Sequence, residues 1–171
     1  MPEIRLTRLA EVSVLPSIER SAGAAFRAYP EFSWVADDSL MSIEDHQGFV
    51  AAGTSWVASD ASALVGFLCA ESVADSALHI WELAVHADAQ GSGVGTQLMR
   101  HAIAFAGSHA QITNLTLTTF RDVVFNAPFY KRLGFELVEE LEAEPRLQAL
   151  LREEAAHGLP VESRCAMRCW V

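Results

Sequence analysis

Apolar and polar positions along this chain change period several times, and the changes mark out its elements. Glu3–Arg8 alternates with period two and predicts a first strand. Val14–Tyr29 shifts to helical spacing, with Ile18, Ala22, Ala25 and Phe26 in phase and Pro16 suited to the first turn. Pro30–Ser39 reads as a loop. Ser42 is placed to cap a short helix over Ile43–Ala52, with Asp45 as the capping-box acid. Thr54–Ala58 and Ala63–Glu71 read as hairpin partners, with Asp60 and Ser62 in their turn. Leu78–Val85 is a further strand. Val94–Ala106 is a helix with Val94, Leu98, Ile103 and Phe105 at helical spacing. Ile112–Phe120 is a strand rich in β-branched residues, with Leu115, Leu117 and Thr119 on one face and Thr116 and Thr118 on the other. Ala127–Leu133 is a short helix stopped by Gly134, with Phe135–Val138 extended beyond it. Leu147, Leu150 and Leu151 share one face of an amphipathic helix within Glu139–Gly158, and Val161–Val171 alternates as a last strand.

Between the strand at 78–85 and the helix at 94–106 stands Gln90-Gly91-Ser92-Gly93-Val94-Gly95-Thr96. Glycines this dense cost chain entropy and suit a turn that must approach a ligand closely. A helix starting there presents unpaired N–H groups and the positive end of its dipole, which makes an anion site, most readily for phosphates. A plain strand-to-helix turn is the alternative. The triphosphate loop is excluded, because Thr96 is followed by Gln97 and no lysine follows the glycines. The dinucleotide fingerprint is excluded too, because the spacing is Gly91-x-Gly93-x-Gly95 and the loop does not leave the strand directly. What remains is a pyrophosphate held by backbone amides. Strand, loop, helix and strand together predict a βαβ unit with parallel strands.

The composition sets outer limits. At 171 residues, about half of them apolar, the chain is expected to be one domain over 1–171 with a sizeable core. It has no long apolar run and its start has no signal-peptide pattern, so no membrane contact is expected and a cytoplasmic location is the default. The formal net charge is −10, which disfavours nucleic acid and favours cationic small molecules. Cys69, Cys165 and Cys169 read as core thiols, and the histidines lack metal-ligand spacing, so no metal is expected.

The run from His79 to Met99, with Gln90, Gly93 and Gly95 at its centre, resembles the acetyl-CoA-binding core of the GNAT superfamily of N-acetyltransferases. A second match follows at Asn126–Phe135, similar to that family's Tyr-x-x-x-Gly-Phe signature at Tyr130, Gly134 and Phe135. The resemblance implies a GNAT-like α/β fold, a mixed central sheet flanked by helices. It also implies acetyl-CoA as cosubstrate. Leu83, Ala84 and Val85 would then meet the pantetheine through backbone groups, Gln90, Gly91, Ser92, Gly93, Val94, Gly95 and Thr96 would hold the pyrophosphate, and Asn126 would touch the cofactor. Tyr130 would be the general acid for the departing thiolate, since a phenol can protonate a thiolate. Glu82, on the same strand, is the candidate base, with His79, His86 or a purely electrostatic role as alternatives. Trp34, Asp37 and Asp38 fall where such enzymes often line the acceptor site, and a solvent turn is the competing reading for the two acids.

The function expected is transfer of acetyl from acetyl-CoA to a primary amine of a cationic small molecule. An enzyme that acetylates a protein N-terminus or lysine, and a non-catalytic acyl-CoA-binding module, stay open as alternatives. The 145–157 helix could cover the acceptor, pack on a second subunit in a homodimer, or fill the connection.

Overall fold

The computed structural model of this protein describes residues 1–61 and 63–171; Ser62, expected with Asp60 in the hairpin turn, lies outside the described residues. The chain divides into two compact units. The first holds Met1–Glu71 with Ile80–Ala102, and the second holds Ser72–His79 with Ile103–Val171.

The first unit contains β1 (Glu3–Leu6), α1 (Leu15–Gly23), α2 (Ile43–Ala52), β2 (Ser55–Asp60), β3 (Ala63–Val73), the C-terminal part of β4 (Ala77–Val85) and the first turns of α3 (Val94–Gly107). Its strands lie in the order β1-β2-β3-β4. β1 and β3 both pair antiparallel with β2. Leu15 and Ile18 of α1 pack with Val57, Phe67, Cys69 and Ala84 to form the core of this unit. Ser42 caps α2 as expected, its hydroxyl accepting from Asp45 N–H at 3.0 Å, and Gly53 ends that helix at φ +73°.

The helix expected over Val14–Tyr29 is α-helical only through α1. It is preceded by a 3-10 segment over Leu9–Val14 and followed by one over Ala24–Ala28. Two constraints shorten it. Tyr29 precedes Pro30 and is pushed to extended backbone, φ −114° and ψ 99°, which no helix continues through. The Ala36 backbone also packs beside Gly23 in ordinary contact, where a Cβ would lie 3.6 Å from Ala36 Cα. The Arg20 guanidinium donates to Ala36 O at 2.7 Å, and the expected loop at 30–39 accordingly winds into a 3-10 segment over Pro30–Asp37.

The second unit contains the N-terminal residues of β4, β5 (Asn114–Phe120), α4 (Ala127–Lys131), β6 (Glu136–Leu137), α5 (Pro145–Ala156) and β7 (Arg164–Trp170). The order is β4-β5-β7-β6. β4 and β5 pair in parallel from Ala77↔Asn114 to His79↔Thr116, as the strand–helix–strand pattern requires, while β7 is antiparallel to both β5 and β6. Leu147 and Leu151 of α5 bury against Ala166, bordered by Val138, Leu141 and Leu150. The leucine face of this helix therefore covers its own sheet.

The polar face of β5 is covered as well, by ion pairs rather than by hydrocarbon. At Asn114, the side-chain oxygen accepts from Arg168 Nε at 3.0 Å, and Arg168 makes a two-pronged pair with Glu144 at 2.6 and 2.9 Å. At Thr116, Arg146 donates to Oγ1 at 3.1 Å and pairs with Asp75 at 3.0 Å. At Thr118, the hydroxyl donates to Glu154, whose carboxylate also takes Arg164 Nε at 3.0 Å. Hydrogen-bonded, two-pronged pairs of this kind hold a fixed geometry as well as contributing energy. The Arg168 pair holds the Glu144 carboxyl below its ordinary range.

His79 completes the middle rung. It is 1 % exposed, and its Nδ1 contacts Thr116 Oγ1 at 2.9 Å and Arg146 Nη1 at 3.3 Å. Arginine only donates, so Nδ1 must be the acceptor and the neutral ring carries its proton on Nε2. Burial, and then the Arg146 charge, push the His79 pKa down to about 3. His46, buried on α2 with its ring edge-on to Phe67, is also depressed, chiefly by burial.

The sign of the pH dependence follows. Below the unfolded histidine pKa of ~6.5 the unfolded chain takes up protons that the folded chain refuses. Stability from these groups is therefore complete above that pH and is lost as the pH falls. His79→Asn should flatten the slope of unfolding free energy between about pH 6.5 and 5 by roughly 1.4 kcal/mol per pH unit, leaving the share due to His46. Urea titrations of both proteins at several pH values measure this. An unchanged slope would contradict a neutral His79.

Candidate functional site: the glycine loop and the tyrosine turn

The loop between β4 and α3 is fastened at both ends and open in the middle. His86 N–H donates to Val65 O at 2.9 Å, and Ala87 N–H to Ser21 Oγ at 3.0 Å. A 3-10 turn over Ala87–Ala89 follows. The Gln90 side chain turns back and donates to Val85 O at 3.0 Å, and Ser92 Oγ donates to Ala89 O at 2.6 Å. In this way Gln90 and Ser92 brace the loop from within.

Gly91 and Gly93 have φ of +76° and +89°, in the region that L side chains avoid. A Cβ added at either would meet nothing within 4 Å, so neither glycine is there to relieve crowding. They turn the backbone and leave a bare surface. Gln97 N–H donates to Gly93 O at 3.1 Å and closes the first turn of α3. Val94, Gly95 and Thr96 then occupy the positions whose N–H groups have no acceptor inside a helix. Val94 itself is 2 % exposed and anchors that turn in the core. A cleft of about 630 Å³ opens beside the loop, lined by Leu64, Val65, His86, Asp88, Ser92 and Val94 among others.

On β4, Ala84 is buried in the core of the first unit, while Leu83 and Val85 are half-buried. Glu82 is half-buried too. Its backbone N–H reaches the Cys69 thiol, and its carboxylate adds to the burial that pushes this thiol well above its ordinary pKa. The half-buried Glu19 of α1 also bears on Cys69, and its own pKa is raised by burial while its carboxylate accepts Met41 N–H at 3.2 Å. Glu82 therefore lies on the Cys69 side of the strand together with a second acid. The expectations for this neighbourhood did not include Glu19; its only sequence signal is a carboxylate directly beside the core residue Ile18.

Trp34, Asp37 and Asp38 end the 3-10 segment of 30–37. Trp34 is 37 % exposed. Asp37 forms an exposed ion pair with Arg27 at 3.0 Å, and Asp38 accepts Ser39 N–H at 2.8 Å.

In the second unit, Tyr130 owes its position to the way α4 ends. Gly134 takes φ +93°, its N–H donates to Lys131 O at 3.1 Å, and Phe135 N–H reaches back to Tyr130 O at 3.2 Å. This is a Schellman closure, in which the residue past the left-handed glycine also packs on the last helical turn. Phe135 does so through the Tyr130 ring, with centroids 5.8 Å apart, and Phe129 lies edge-on at 5.1 Å. The spacing Tyr-x-x-x-Gly-Phe is therefore a helix-stop geometry that holds the phenol by both backbone and ring. Asn126 starts the same helix: its carbonyl accepts Tyr130 N–H at 3.1 Å, and its side chain donates to Phe125 O at 3.0 Å.

His79 is poorly placed to take a proton from an amine: it is 1 % exposed, its Nδ1 already accepts from its neighbours, and burial holds its pKa down. Among the described residues no group of three or more His, Cys, Asp or Glu could hold a metal ion, and no helix is long and apolar enough to cross a membrane. Gly66, which the expectations above passed over, proves closely packed. An isolated glycine within a strand pattern is the signal that could have found it.

With this geometry in place, comparison with known proteins gives the family. The pattern of the Acetyltransferase (GNAT) family matches residues 20–135, and the chain belongs to that family. The uncharacterized N-acetyltransferase ycf52 of Pyropia yezoensis is 39% identical over 74 residues, which is 43% of this chain and 40% of that protein. The match thus spans less than half of that relative. Among solved structures, the PaiA N-acetyltransferase of Thermoplasma acidophilum in complex with coenzyme A superposes with a TM-score of 0.71 at 17% identity, over 100% of this chain and 99% of that one. Rv2747 of Mycobacterium tuberculosis, in complex with CoA and NLQ, gives 0.70 at 17% identity over 99% of each chain. The ribosomal-protein-S18-alanine N-acetyltransferase of Escherichia coli gives 0.69 at 14% identity, over 100% of this chain and 94% of that one. These likenesses establish the expected fold, a mixed sheet flanked by helices.

The loop geometry makes a stability prediction that needs no ligand. Gly91→Ala and Gly93→Ala should each lower the unfolding free energy by roughly 1–2 kcal/mol, the cost of left-handed backbone for an L residue. Gly95→Ala, inside the first turn of α3, should raise it by up to about 1 kcal/mol. Denaturant titration of the three variants checks this. Equal effects at all three positions would contradict the assigned backbone conformations.

Proposed function

We propose that this protein transfers the acetyl group of acetyl-CoA to a primary amine on a cationic small molecule, with 1–171 acting as one catalytic domain. The observation that carries the reading is the loop at 90–96. It is braced by its own side chains, bare at Gly91 and Gly93, and opens onto the first turn of a helix that Val94 anchors in the core. These residues fit a pyrophosphate, because unpaired N–H groups and the helix dipole favour an anion there without a lysine. CoA bound in the PaiA and Rv2747 structures supports the same ligand here.

When bound, acetyl-CoA supplies an activated acetyl thioester. The Gln90–Thr96 loop holds its phosphates, and the backbone of Leu83, Ala84 and Val85 lines the pantetheine arm. An N–H of that strand orients the thioester carbonyl and favours the negative charge that develops on its oxygen. Asn126, at the start of α4, contributes a further cofactor contact. The amine reaches the site as an ammonium, and Glu82 takes its proton, directly or through water. The amine nitrogen then bonds to the carbonyl carbon as the carbon–sulfur bond breaks, Tyr130 gives its proton to the sulfur, and the second proton shed by the nitrogen as it becomes an amide passes through water to restore the phenol.

The acceptor class rests on charge. The chain carries 22 acidic residues against 12 Lys and Arg. The half-buried Glu82 and Glu19 add carboxylates to the first unit near Cys69. Trp34, Asp37 and Asp38 form the acceptor side, where the exposed Asp37, paired with Arg27, can exchange that partner for an ammonium. A protein N-terminus or lysine is the rival acceptor, and activity on peptides but not on free amines would select it. The cytoplasm is the compartment that this reading proposes.

Two variants test the division of labour. Tyr130→Phe keeps the ring against Phe129 and Phe135 and removes only the proton donor. It should lower kcat by roughly 10²-fold or more while leaving CoA affinity within about twofold. An unaltered single-turnover rate would remove Tyr130 as the acid. Glu82→Gln should depress kcat/KM most below the pKa of the amine, where a proton must be taken up, and progressively less above it. A loss that is constant across pH would reduce Glu82 to an electrostatic or orienting role.

A further inference from the structure

We propose that the Val65–Gly66 step of β3 is a positioning device that sets the phosphate loop from both of its ends, with Gly66 as a positioning residue for acetyl-CoA. The proposal rests on the function proposed above.

The first observation is a register shift. β2 pairs Ala58 with Gly66 but Ser59 with Leu64, which leaves Val65 as the extra residue of a bulge. A bulge re-aims the groups of its unpaired residue. Here the Val65 carbonyl accepts His86 N–H at 2.9 Å, directly after the end of β4. That bond fixes where the chain leaves the sheet for the loop.

The second observation is the crowding at Gly66 itself. A Cβ built on Gly66 would lie 3.0 Å from the Ala84 carbonyl oxygen, 3.2 Å from Val94 Cγ1 and 3.3 Å from Leu98 Cδ1. The Ala84 oxygen is backbone of the strand read above as the pantetheine strand. Val94 is the first residue of α3, and its β-branched side chain is stiff at χ1, so it cannot swing aside. Leu98, one turn later, is fully buried. A methyl group at this point must move either β4 at Ala84 or the first turn of α3. Both are parts of the surface that holds the cofactor. Gly91 and Gly93 are unlike Gly66 in this respect, since a side chain there meets open space.

A strained apo protein can absorb the methyl by letting the first turn of α3 move outward. Bound phosphates need the N–H groups of that turn back in place, so the strain returns on binding. Gly66→Ala should therefore weaken CoA binding more than it weakens the fold.

The test is a double-mutant cycle on CoA affinity, read by calorimetry, with Val94→Ala as the second change. Gly66→Ala should raise the Kd for CoA by about tenfold, within the range of an overpacked methyl. Its effect should shrink to about twofold or less in the Val94→Ala background, where the 3.2 Å contact is gone and β3 can shift toward α3 to carry the methyl away from the Ala84 oxygen. The KM for acetyl-CoA should rise in parallel while the KM for the amine stays constant. If Gly66→Ala alone does not fold, the double variant is compared directly with Val94→Ala, and matched CoA affinities are the expected result. Gly48→Ala, in α2 with nothing within 4 Å of the added Cβ, serves as the control and should leave CoA affinity unchanged.

An unchanged Kd in Gly66→Ala would overturn the proposal and leave the acetyltransferase reading intact. So would a loss that is the same in both backgrounds, which would mark Gly66 as general packing. Failure of the wild-type protein to bind CoA would overturn both.

Discussion

The first turn of α3 carries a constraint that much of the surrounding structure answers. Its N–H groups have no acceptors within the helix, and such groups are costly to bury unpaired. Most helix starts solve this with a capping side chain. Here the two preceding glycines place bare backbone beside the turn, while Gln90 and Ser92 use their side chains to brace the loop. Val94, anchored in the core, holds the turn in place in the wild-type protein. Rigidity and an open face are thus combined at one point, which is what an anion site requires.

A comparable economy governs Tyr130. The left-handed Gly134 closes the helix, and Phe135 packs back on the tyrosine ring. The signature residues therefore serve structure, and in the proposed reaction chemistry too. Loss of Gly134 or Phe135 would displace the phenol without touching it.

Much of this was legible in the sequence because it depends on local backbone rules. Strand and helix periods, the Ser42 cap, the parallel β4–β5 pairing and the glycine turn all follow from spacing and from residues with special conformations. What was not legible depends on long-range contacts. The helix expected to Tyr29 stops at Gly23, where Ala36 and Arg20 meet across a gap in sequence that no period reveals. The face of β5 with Thr116 and Thr118 is covered by Arg146, Arg164 and their acidic partners, drawn from well beyond the strand. Among the candidate site residues, the loop and the tyrosine turn carried their own signals. Glu19 and Gly66 did not stand out, because the role of each depends on residues that approach from other elements. Asp37 pairs with Arg27, ten residues away, a partner that no local period reveals.

The central claim is that this chain turns over acetyl-CoA with a cationic amine as acceptor. The most direct measurement is thiol release from acetyl-CoA by the purified protein against matched cationic, neutral and anionic primary amines at low salt, with the acetylated product identified by mass. The expected result is amine-dependent thiol release that is fastest for the cationic acceptors and slows as salt screens the acidic surface. CoA binding without thiol release for any amine or peptide would contradict the claim and leave a binding module in its place.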